Sequence, residues 1–258
     1  MYRFFRIFKR DFLNLMFNLM WVFYGTAFPL LLVLILGFLS SGNYGDQVTS
    51  YDYYGVSMLI YIIFNTSTIA SNSFMEERIK KGNMRIIYSP VPKEYIYISK
   101  IAATVAFSFL CHLIVMILLH LVLKVDFGGT NVGFVILILF LFEVFASIIG
   151  VLLCCIFKSE NTANQILSVV INISAILGGL FFRLDGFGQT VEKISYISPI
   201  KWIVNDIFEI IYDKDFSQYL LTIITLIAVS LLALLMCKKF YKTEDYIWWI
   251  LLKMISIE

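Results

Sequence analysis

Apolar residues run through this chain in long blocks separated by short polar breaks. Six blocks reach the roughly 20 helical residues needed to cross a hydrocarbon core of about 30 Å: Phe17 to Leu39, Tyr54 to Phe74, Ser99 to Leu123, Val132 to Phe157, Ala163 to Phe182 and Gln218 to Cys237. They predict six transmembrane helices. Ahead of the first block, "MYRFFRIFKRDFLNLM" sets Phe4, Phe5, Phe8, Phe12, Leu15 and Met16 on one arc of a helical wheel and Arg3, Arg6, Lys9 and Arg10 on another. Residues 1–16 therefore read as an amphipathic helix in the membrane interface, with a plain topology anchor as the alternative.

The polar breaks carry patterns of their own. In residues 75–98, Glu76 and Glu77 stand four residues before Lys80 and Lys81, which predicts that the second span continues as a helix beyond the membrane. Gly82 is placed to end it with a left-handed turn. Ser89 and Pro90 have the pattern of a helix start, and from about Lys93 to Leu123 a single helix would be roughly 45 Å long. In residues 183–217, Ile203, Ile207, Ile210 and Ile211 recur at helical spacing with Asp206, Glu209 and Asp213 between them, predicting a short helix partly immersed in the outer leaflet. The tail, residues 238–258, carries Tyr246, Trp248 and Trp249 beside Lys253. It is too short to span and predicts an inner-interface helix with an aromatic anchor.

Composition agrees with the pattern. Of 258 residues, 60% are hydrophobic and 15% charged, with mean hydropathy +0.86, whereas soluble domains carry about a quarter charged residues. The fold class is thus an all-α membrane protein. The first block has no small-residue cleavage site after a short core, so it is not read as a removable signal peptide. Alternate polar segments hold 15 of the 20 Lys and Arg residues, which places both termini and residues 75–98 in the cytoplasm. This basic face can meet anionic lipid head groups, and nothing points to nucleic acid. Cys111, Cys154, Cys155 and Cys237 all fall within spans or at their edges and form no disulfide framework.

Polar residues inside the spans are the informative exceptions. Glu143 must face the bundle interior or a water-filled space. There it either lines a pathway for cationic substrate or makes a helix–helix hydrogen bond. Asn65 and Asn172, on the second and fifth spans, resemble the polar residues used where membrane helices meet. His112 and His120 lack nearby acid or thiol partners at ligand spacing, so no metal site is expected. The chain has no phosphate-binding G-x-x-x-x-G-K-[ST] loop, no H-E-x-x-H and no G-x-S-x-G. By its motifs it is not an enzyme.

The order Glu77-Arg78, Gly82, Ser89-Pro90-Val91 and Lys100 resembles the loop between the second and third spans of ABC-2 type permeases, the membrane subunits of ATP-driven bacterial exporters. Asn83 stands where many members have Thr, and Ser99 where Gly is common. Ser198, Pro199 and Trp202 are similar to the outer hairpin that precedes the last span in that family. The resemblance covers about the whole chain as a single transmembrane domain and implies the rest. Glu76, Glu77, Arg78, Gly82, Ser89 and Pro90 would couple to a separate ATPase subunit, present in two copies and binding ATP and Mg, since this chain would hold no cofactor. Asn65, Glu143 and Asn172 would line the pathway. Ser198, Pro199 and Trp202 would form an outer re-entrant gate. A second permease, the same chain or a related one, would complete the transporter in the bacterial cytoplasmic membrane. With small outer loops and many aromatic residues, the cargo would be an amphipathic peptide, such as a bacteriocin or peptide toxin, or a hydrophobic drug. Two other classes stay open: a self-contained secondary transporter, and an intramembrane enzyme pairing Glu143 with His112.

Overall fold

A backbone surrounded by lipid must satisfy its own hydrogen bonds, and helices do this within one segment. The computed structural model describes residues 2–42, 44–45, 48–182, 188–196 and 198–242, and all regular structure among them is helical. The order is α1 (Tyr2–Met16), α2 (Leu19–Gly25), α3 (Ala27–Leu39), α4 (Ser50–Met75), α5 (Glu77–Ile87), α6 (Glu94–Leu123), α7 (Val132–Phe157), α8 (Glu160–Leu177), α9 (Gln189–Ser195), α10 (Pro199–Phe208) and α11 (Tyr219–Phe240). A single 3₁₀ turn precedes α7, and a π turn, Glu209–Asp213, extends α10.

Five stretches are long and apolar enough to cross a membrane: Leu19–Leu39, Ser50–Met75, Glu94–Leu123, Gly129–Phe157 and Tyr219–Phe240. The expected span from Ala163 to Phe182 is not among them. Glu160, Asn161, Asn164, Gln165 and Asn172 dilute its apolar character, and the helix stops at Leu177, before Gly179 at φ 75°. Yet α8 runs antiparallel to α4 over most of its height. Asn164 meets Asn72, Asn172 meets Tyr61, and Tyr53 donates its hydroxyl to the Gly179 carbonyl. Two of its asparagines, Asn164 and Asn172, thus direct their polarity at α4.

The first expected span is two helices, not one. At Thr26 the backbone leaves helical geometry (φ −125°, ψ −67°), and its hydroxyl donates to the Val22 carbonyl at 2.6 Å. Pro29, lacking an N–H, cannot bond back to Gly25 across the break.

The second span is the hub. α4 is buried along nearly its whole length, while α2, α3 and α11 leave most of their surface uncovered. Its most extensive partner is α7, with α3, α6 and α8 around it. Thr49 and Asp52 form a capping box at its start, and Asp52 also accepts from the Asp126 N–H at 2.9 Å, tying down the α6–α7 connection. Halfway along, Gly150 of α7 lies against the Ser67 backbone, so the two helices meet almost main chain to main chain. Such small-residue contacts substitute for the hydrophobic drive that lipid removes.

The basic segments gather at one end. Arg3 donates to the Pro90 carbonyl at 2.6 Å, Lys100 pairs with Asp11, and Lys238 lies 3.1 Å from Glu94. This common end is what the charge pattern required. The expected aromatic tail helix falls on residues 243–258, outside the described residues, as do residues 183–187 of the outer segment.

A Cβ added at Gly150 would sit 2.0 Å from the Ser67 carbonyl oxygen. Gly150→Ala should therefore destabilise the chain by about 1–3 kcal/mol, read as a lowered melting temperature in detergent. Gly133→Ala, with nothing within 4 Å, should change little. Equal melting of both variants would refute the close approach.

Candidate functional site

The polar break between α4 and α6 contains a helix, α5, held at both ends. α4 stops at Met75 because Glu76 is extended (φ −53°, ψ 140°), and α5 then begins at Glu77. The second span thus does not continue as one helix through Glu76. Gly82 does not terminate anything: it lies mid-helix in α5, and the left-handed helix ends fall instead at Lys124, Lys158 and Lys214. The Ser89–Pro90 start is also overturned. The Ser89 hydroxyl donates back to the Ile86 carbonyl at 2.7 Å, closing α5, and α6 begins later, at Glu94.

Three contacts fix α5 and its following turn to the bundle. Asn83, 2% exposed, donates to the Phe74 carbonyl at 3.2 Å. Pro90 accepts from Arg3 of α1. Lys80 is buried near Glu160 at the start of α8. Burial lowers the pKa of Lys80, opposed chiefly by Glu160, while burial and then Glu76 raise that of Glu160. Glu77, Arg78 and Arg85 face outward, so α5 presents charge to the aqueous side and Ile86, Ile87 and Met84 to the core.

α1 clamps the foot of α6. Asp11, the acid in an otherwise basic helix, accepts from both Lys100 and the Ser99 hydroxyl (3.1 Å), and the Asp11 and Lys100 side chains are only 5% and 3% exposed. Sequence reading singled out Lys100 but missed its partner. The signal was there: a lone carboxylate among Arg3, Arg6, Lys9 and Arg10. The apolar arc of α1 divides, with Leu15 buried, Phe4 edge-on against Tyr95 at 5.3 Å, and Phe5 and Met16 exposed.

Two of the three mid-bundle candidates share one residue. Asn65 donates to the Tyr61 carbonyl at 2.8 Å, and the Tyr61 hydroxyl donates to Asn172 Oδ1 at 3.1 Å. Tyr61, which the sequence did not mark, thus links α4 to α8. Glu143 lies apart. It is 0% exposed, with Oε1 3.1 Å from His112 Nδ1, and Thr66 of α4 is beside it. Ser108 and Ser147, one turn away on α6 and α7, are equally buried. No group of three or more His, Cys, Asp or Glu residues among those described is placed to hold a metal.

At the opposite end, Ser198 and Pro199 open α10, and the Ser198 hydroxyl donates to the Ser174 carbonyl of α8 at 3.0 Å. Trp202 is 54% exposed. Ile203, Ile207, Ile210 and Ile211 point into the bundle core and not into a leaflet. They cover the ends of α7, α8 and α11. Asp206, 1% exposed, goes in with them, and its carboxylate makes no close hydrogen bond. Burial raises its pKa, and Thr222 offsets this only in part.

Two predictions follow from these charges. Asp11→Asn or Lys100→Met alone leaves an unpaired buried partner and should cost about 3–5 kcal/mol, while the double Asp11→Leu, Lys100→Met variant should recover most of it. Additive losses in unfolding experiments would show that the two are not coupled. For Asp206, the raised folded pKa means its contribution is complete below the ordinary Asp value of about 3.9 and is lost as pH rises through the folded pKa. Asp206→Asn should therefore be more stable than wild type by about 1–3 kcal/mol at pH 8 and indistinguishable near pH 3. A stability gap that does not change with pH would contradict the assignment.

The family model for the ABC-2 type transporters matches residues 2–212. A search of curated proteins gives no match. The family match runs from α1 into the π turn after α10, so it takes in the clamp, α5 and α10 together and stops before α11. The chain is a multi-pass membrane protein, and it belongs to the ABC-2 type transporter family.

Proposed function

We propose that the chain is the permease subunit of a bacterial ABC exporter, driven by ATP hydrolysis in a separate ATPase. The observation that carries this is α5: a short helix with an outward charged face, fastened to α4 by Asn83 and to α1 by Arg3. Two ATPase subunits, binding ATP and Mg, dock on Glu76, Glu77, Arg78 and the Ser89–Pro90 turn. Their closure moves α5 and, through it, α4 and α6. A second permease, identical or related, completes a pathway to which Asn65 and Asn172 contribute. Ser198, Pro199 and Trp202 belong to its outer gate. Both termini lie in the cytoplasm, and the cargo is an amphipathic peptide or a hydrophobic drug.

A second reading has one observation in its favour. His112 and Glu143 are within contact, as an intramembrane acid–base centre would require. Complete burial against α4 favours a polar link between helices instead. Glu143→Gln separates the two: an enzyme loses a reaction that the isolated chain performs without any ATPase, whereas a helix link loses only stability.

A pull-down of the tagged chain from native membranes in gentle detergent tests the main proposal. A stoichiometric partner carrying a phosphate-binding loop is the expected result. Recovery of the chain alone, while other membrane complexes survive, would overturn it. Glu77→Ala or Arg78→Ala should leave insertion intact and weaken coupling of ATP hydrolysis to transport about tenfold, the worth of one charged hydrogen bond. Unchanged coupling in both would remove α5 from the mechanism.

A further inference from the structure

Between α1, α5 and the foot of α6 lies an open cavity of about 710 Å³. Its size falls in the range of small-ligand sites. Three guanidinium-bearing residues line it, Arg6 and Arg10 from α1 and Arg78 from α5. Asp11, the acid in the lining, is already held by Lys100 and Ser99, which leaves the cavity basic. Gly82 opens the α5 wall: the Arg10 guanidinium lies 4.0 Å from where a Cβ would be. One rim carries exposed apolar side chains beside Asn14 and Asn18. Phe17 and Leu19 line it with 84% and 81% of their surfaces exposed, and Met20 continues the apolar surface along α2.

We infer that this cavity binds the head group of an anionic phospholipid, with acyl chains lying along Phe17, Leu19 and Met20. Arginine pairs with phosphate through two parallel N–H···O bonds. A soluble anion would use the basic wall but leave the apolar rim uncovered. A lipid satisfies both, and the rim lies where the first membrane-crossing stretch begins. The lipid then bridges α1 and α5, making the stiffness of this end depend on membrane composition. Its assignment to the inner leaflet rests on the orientation proposed above. Binding in detergent does not, so the two can fail separately.

The test is retention of phosphatidylglycerol or phosphatidylcholine by the purified full chain in mild detergent, counted by native mass spectrometry. The wild type should keep a single phosphatidylglycerol in clear preference to phosphatidylcholine. Arg10→Gln should reduce retention about tenfold, as the loss of one charge-assisted hydrogen bond. Gly82→Glu, which places a carboxylate in the cavity while improving helix propensity, should reduce it as much. Arg85→Gln, on the same helix and away from the cavity, should have no effect. Equal retention of the two lipids, or of phosphatidylglycerol by all variants, would overturn the site. So would displacement of the lipid by inorganic phosphate at equal concentration, which would mark a soluble anion. Variants that keep the lipid but no longer hold an ATPase subunit would assign the cavity to protein, and the proposal would fall.

Discussion

Two opposite charges buried at the foot of α6 set the arrangement of the basic end. Removing Lys100 and Asp11 from water is costly, and their attraction offsets that cost only if they stay in contact. That requirement fixes α1 against α6. It also fixes the height of Arg3 relative to Pro90 and so the position of the turn that follows α5. Ser99, where members of the family often have glycine, supplies the second hydrogen bond to Asp11. Asn83, another departure from the family pattern, ties α5 to the last turn of α4. Both departures thus sit where α1 or α5 joins the bundle.

Much of the architecture was legible in the apolar blocks, because a helix in lipid has few ways to hide a polar backbone. The long helix from about Lys93 to Leu123 could be read directly, as could the helical character of the segment before it. Boundaries that depend on one residue's dihedrals could not. Glu76, with no helix-breaking side chain, makes in an extended conformation the break that was expected as a left-handed turn at Gly82. Ser89 has the chemistry of a cap, but it closed the preceding helix instead of opening the next. A hydroxyl does not announce which of two neighbouring helices it will serve.

The polar residues within the bundle show the same limit. Their burial was readable, whereas the pairing of Glu143 with His112 was raised only as what an enzyme would need. Glu143 and His112 are 31 positions apart in sequence, and only the packing of α6 on α7 brings them to 3.1 Å. Asn65 and Asn172 were marked separately, and the structure joins them through Tyr61. α8 was both right and wrong. It follows α4 as a span would, yet Asn164 and Asn172, turned toward α4, dilute the apolar character by which spans are recognised.

The fastening of α5 at both ends has a mechanical consequence. A helix attached only at Glu76 would behave as a cantilever, and a push at its tip would be spent in bending at that one extended residue. With Asn83 gripping α4 and Pro90 gripped by Arg3, the segment is closer to a beam on two supports. A load applied along it divides between α4 and the α1–α6 clamp, so neither end of the segment takes the whole of it.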